Sequence, residues 1–160
     1  MRVDSARVVD SGSVAQTTAV ERLRAGELAA VLAATGFVGV AFFEVALAVG
    51  APWGHAAWGG EHAELSGVQR VGSAVAVIVW AAAAAIVLGR AGLWARGPRL
   101  TLVFRWGTWF LAAVSVLAAL VNFASQSRWE NFIFGPLALL LALLCTLVAR
   151  AGAGRDDKPR

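Results

Sequence analysis

The chain has little of what builds a soluble enzyme. Charged residues are 15% of its 160 positions, histidine occurs twice, cysteine and methionine once each, and tyrosine is absent. A lone cysteine, Cys145, excludes an intramolecular disulfide framework, a multi-cysteine iron–sulfur cluster and a CxxC redox pair. Twenty-four charged side chains are too few to solvate the surface of a soluble domain this size, for which about a quarter of residues would be charged. No nucleotide, haem or other cofactor motif is present, so the composition implies no cofactor. The formal net charge is +4. Its basic residues stand at the ends of apolar segments and form no stripe for nucleic acid, which excludes that class of partner.

What is abundant is apolar: 59% of the residues are hydrophobic. They fall into four runs, at about 28–50, 68–89, 100–122 and 132–149. A helix of about 20 residues crosses the roughly 30 Å hydrocarbon core, and each run is apolar all round rather than along one stripe. Pro52 stops the first run, and Pro136 sits in the first turns of the fourth, where a missing N–H costs little. The first run is too long for a signal-peptide core and is followed by three more. The reading is an all-α, four-helix transmembrane bundle. Residues 1–17 read as a flexible tail, residues 18–150 as the membrane domain, and residues 151–160 as a flexible basic tail. Thr18 and Glu21 have capping-box spacing and predict a helix start at Thr18.

Twelve of the fourteen Lys and Arg residues lie before residue 28, between 90 and 105, or from 150 onward. Only Arg70 and Arg128 fall on the other side. The positive-inside rule then predicts a multi-pass cell-membrane protein with both termini cytoplasmic, and Arg105 snorkelling to that face. Trp94, Trp106 and Trp109 near one face, and Trp53, Trp58 and Trp129 near the other, read as interfacial belts.

The remaining polar residues gather at the extracytoplasmic end. Glu44 lies six residues before Gly50, about 9 Å below the boundary by helix rise. A carboxylate at that depth must be neutral, paired or facing a cavity, and Arg70 on the next span is the natural ion-pair partner. Asn122 and Glu130 join Glu44 and Arg70 as candidates for a ligand site or ion pairs. His55, Glu61, His62 and Glu64 in the outer loop are residue types that suit zinc, although H-x5-E-H-x-E matches no established metal spacing. Glycines at 54, 59 and 60 allow the doubled W-G pattern to fold that loop onto the membrane surface. Gly36, Gly39 and the alanines at 81–85 offer small faces for helix approach. Cys145 reads as an inert apolar residue.

The stretches GAPWGHAAWGG and NFASQSRWENFIFGPLALLLALLCTLVAR resemble those of small four-span membrane proteins of actinobacteria. The resemblance covers most of 28–150; it implies this topology and carries over no activity. The layout is also similar to that of small multidrug resistance transporters, which implies a proton- and cation-binding role for Glu44. The chain departs from them in its longer N-terminal segment, its histidine-bearing loop, its biased orientation and its off-centre glutamate. Three function classes follow. The first is an accessory or structural protein of the bilayer, packed against a larger membrane protein or as a homodimer. The second is a proton- or cation-coupled transporter using Glu44. The third is a membrane enzyme acting on a lipid-like substrate, which requires His55 or His62 to fold over Glu44 and Arg70.

Overall fold

The computed structural model describes residues 4–94 and 98–156, and side chains over residues 16–94 and 100–153. Four helices form an antiparallel bundle: α1 (Asp4–Ala48), α2 (Gly67–Arg90), α3 (Pro98–Ala124) and α4 (Gly135–Asp156). Segments long and apolar enough to cross a membrane run over Gln16–Ala48, Gly67–Arg90, Leu100–Ala124 and Glu130–Ala153, the last beginning in the turn before α4.

The sequence punctuates these helices. A Schellman motif closes α1: Gly50 takes φ +97°, its N–H donates to Leu47 O, and the Ala51 N–H donates to Ala46 O. The same motif closes α2, with Gly92 at φ +70°, Gly92 N–H on Gly89 O and Leu93 N–H on Leu88 O. A capping box opens α2, Ser66 and Gln69 satisfying each other's backbone N–H groups. Before α4, residues Glu130–Phe134 form a π-helical turn, closed by the Gly135 N–H on Glu130 O.

Two boundaries differ from expectation. Helix α1 begins at Asp4 and passes through Thr18, where the capping-box spacing had predicted its start, so residues 4–17 expected as a tail are helical. No proline interrupts 4–48, and a helix fixed by its apolar span propagates at one hydrogen bond per residue. For the same reason α4 continues to Asp156, into the expected C-terminal tail. Residues 1–3 and 157–160 of the two expected tails lie outside the described residues, as do the side chains of Arg96 and Arg99.

The core is built from small residues that bring the helix axes close. Ala29, Ala30, Ala33 and Phe37 of α1 meet Ala83, Ala84 and Val87 of α2, Leu111 and Ala112 of α3, and Leu141, Leu144, Cys145 and Val148 of α4. Phe37 stacks on Trp80 at 5.7 Å. Gly36 faces Leu141 across the α1–α4 contact, as its small size predicts, whereas Gly39 faces open space. Large apolar side chains cover the outer faces, among them Phe42, Val68, Ile78, Phe110, Val121 and Phe132, each at least two-thirds exposed. Such a surface would drive aggregation in water; in a bilayer it is the solvated surface.

Candidate functional site: a polar clasp at the loop end

The turns after α1 and α3 lie at the same end of the bundle, opposite the end that joins α2 to α3. The first connection folds into two 3-10 turns, Gly54–Ala56 and Trp58–Gly60, pinned by the Gly54 N–H on Ala63 O at 2.8 Å. Polar side chains from the second connection reach across to it. Glu130 accepts from the Gly59 N–H at 3.0 Å through one carboxylate oxygen, and from the Ser125 hydroxyl through the other. The Ser127 hydroxyl donates to His55 O at 2.7 Å, and the His55 Nδ1–H donates to Gly60 O at 2.9 Å. Asn131 closes the inner turn by donating to Phe123 O and Ser125 O. Gly60, at φ +76°, fits only because it lacks a side chain: a Cβ would stand 2.9 Å from Ser127 Cβ and 3.0 Å from His55 O. The two connections are therefore stitched into one cap.

Trp58 adds a second tie. It holds φ +53°, a conformation that costs a bulky residue roughly 1–3 kcal/mol and persists only where the surroundings impose it. The surroundings do so: its indole lies on Gly72, where a Cβ would meet the ring at 2.8 Å, and its Nε1–H points to Ser73 Oγ at 3.4 Å. Fully buried Ser73 hydrogen-bonds in turn to the Glu44 carboxyl. Trp58 is thus a loop-to-helix tie rather than only a membrane-surface anchor. The second Glu44 oxygen is buried without a hydrogen-bond partner among the described residues.

Arg70 does not pair with Glu44. Its Nε donates to Ala48 O at 3.0 Å, and its guanidinium lies against Gly50. The cation caps the C-terminus of α1, where unpaired carbonyls and the negative end of the helix dipole converge about 6 Å beyond Glu44 by helix rise. The Asn122 Nδ2–H donates to Ala118 O of its own helix at 2.8 Å. The proposed metal ligands are not brought together. Among the described residues no three or more His, Cys, Asp or Glu side chains form a group able to hold a metal ion. Glu61, His62 and Glu64 rim one cleft, while His55, in the 3-10 turn Gly54–Ala56, lines another with Phe43 of α1 and Phe134 of the π turn. Neither Glu44 nor Arg70 lines the clefts that hold the two histidines.

The residue sequence reading misses is Ser73, which stands inside the apolar run VGSAVAV and carries no motif. Ser127 does carry a signal, since Ser127-x-x-Glu130 has capping-box spacing, and the Glu130 N–H points to Ser127 Oγ at 3.5 Å. Comparison with protein-family models, curated proteins and solved structures gives no match for this chain.

Proposed function

We propose that this chain is a small accessory or structural protein of the cell membrane, one of the small four-span proteins its sequence resembles, with both termini cytoplasmic and the clasped loops outside. The observation that carries this reading is the use made of the polar residues at the loop end. Glu130, Ser125, Ser127, Arg70 and the His55 backbone all serve to join one loop to another or to close a helix. The Glu130 carboxylate and the Ser125 and Ser127 hydroxyls are thereby engaged with the protein's own groups. The charge distribution supports the orientation, because twelve of the fourteen Lys and Arg residues fall in sequence before residue 28, between 90 and 105, or from 150 onward.

A second reading, a proton- or cation-coupled transporter, rests on the buried, unpartnered oxygen of Glu44. Reconstitution into liposomes separates the two. The accessory reading expects no proton, sodium or potassium flux above that of empty liposomes, for the wild type and for Glu44→Gln alike. A flux present in the wild type and abolished by Glu44→Gln overturns it in favour of transport.

A further inference from the structure

Beside the clasp, a cleft of about 530 Å³ opens between α1, the first loop and the π turn that precedes α4. Phe43, Pro52, Trp53, Trp129, Ile133 and Phe134 wall it, with His55 at its loop end. The aromatic walls are packed together: Phe43 lies 4.9 Å from Phe134 and stacks on Trp53 at 6.2 Å. The π turn Glu130–Phe134 supplies two of the walls, Ile133 and Phe134. Such turns recur at functional sites because the extra residue re-aims side chains out of helical register. The volume lies within the range of small-molecule sites, roughly 300–1,000 Å³.

The lining specifies the occupant. Phe43 is on the membrane-spanning part of α1 and His55 in the loop, so the cleft runs from the hydrocarbon to the interface. No Asp, Glu, Lys or Arg lines it, so nothing is present to neutralise a phosphate, a carboxylate or an ammonium head. Because the His55 Nδ1–H is committed to Gly60 O, Nε2 is the ring nitrogen left for a ligand. We propose that this cleft binds a single-chain amphiphile from the bilayer with an uncharged hydroxyl head. The chain lies between Phe43, Ile133 and Phe134, and a head hydroxyl donates to His55 Nε2. This site goes beyond the accessory reading and does not depend on it.

The test uses the full chain in phosphatidylglycerol nanodiscs and a monoacylglycerol carrying a diazirine in its acyl chain. After photolysis, labelled peptides are mapped by mass. Labelling is expected to concentrate in residues 43–56 and 129–134. Unlabelled monoacylglycerol should compete about fivefold better than the free fatty acid or the alkyltrimethylammonium of equal chain length, the value of one hydrogen bond. Ile133→Trp, which fills the cleft from a half-exposed position outside the clasp, should reduce labelling about tenfold. His55→Phe should remove the head preference and retain the chain. Labelling spread evenly over all four helices, or unmoved by Ile133→Trp, means annular lipid only and overturns the proposal. Stronger competition by the alkyltrimethylammonium also overturns it, in favour of a cation–π cage.

Discussion

Replacing Glu130 by alanine should loosen the cap and leave the membrane bundle intact. The carboxylate accepts two hydrogen bonds, one from the Gly59 N–H and one from the Ser125 hydroxyl. A hydrogen bond to a charged group contributes about 1.5–3 kcal/mol when sheltered, and less here, because Gly59 is exposed and water can take over its N–H. The loss should come to about 2 kcal/mol for the pair, or roughly a 30-fold rise in the opening equilibrium of the first loop. Hydrogen exchange in detergent micelles reads this directly. The Ala57 and Gly60 amides, bonded to Gly54 O and Ala57 O, should lose about 30-fold in protection, while amides around Phe37 in the core stay unchanged. Glu130→Gln keeps an acceptor without the charge and should lose only about 0.5–1 kcal/mol. Unchanged loop protection in Glu130→Ala would refute the clasp, and so would an equal loss at Phe37, which would make Glu130 a determinant of the whole bundle.

Gly60→Ala meets both a left-handed backbone and the Ser127 side chain, so its thermal unfolding should show a loss of about 1–3 kcal/mol, whereas Gly59→Ala, with open space around its Cβ, should lose only the backbone part. A double-mutant cycle of Glu44→Gln and Arg70→Gln should give a coupling within about 0.5 kcal/mol, because Arg70 serves the Ala48 carbonyl; a coupling above about 1 kcal/mol would restore the ion pair. Gly89→Val should destabilise the α2–α3 contact by about 1–3 kcal/mol, measured by unfolding in detergent, since a Cβ there would meet the Phe104 ring at 2.5 Å.

The four helices are legible in the sequence because hydrocarbon sets a length that few other structures require, and runs near 20 apolar residues have one reading. Pro52 and Gly50 announce the end of α1, whereas the Ser66 and Gln69 box that opens α2 has the same spacing as Thr18 and Glu21, which lie inside α1. The site is less legible, because its pairings depend on competition between partners of similar chemistry. Arg70 is near enough in sequence pattern to pair with Glu44, but a guanidinium on a long stem also reaches a helix C-terminus, and the Ala48 carbonyl wins it. Glu61, His62 and His55 look like a ligand set until two 3-10 turns send the histidines to different clefts. Trp58 reads as a membrane anchor by residue type, and only its positive φ and its fit on Gly72 make it a tie to α2. Ser73, a single hydroxyl in an apolar run, has no signature before the fold exists.

The most direct test of the accessory reading is native mass spectrometry of the protein extracted gently from its own membrane. A complex of defined stoichiometry is expected, with a second polypeptide or a second copy of this chain, that persists in Glu44→Gln. A bare monomer under conditions that preserve other membrane complexes would contradict it.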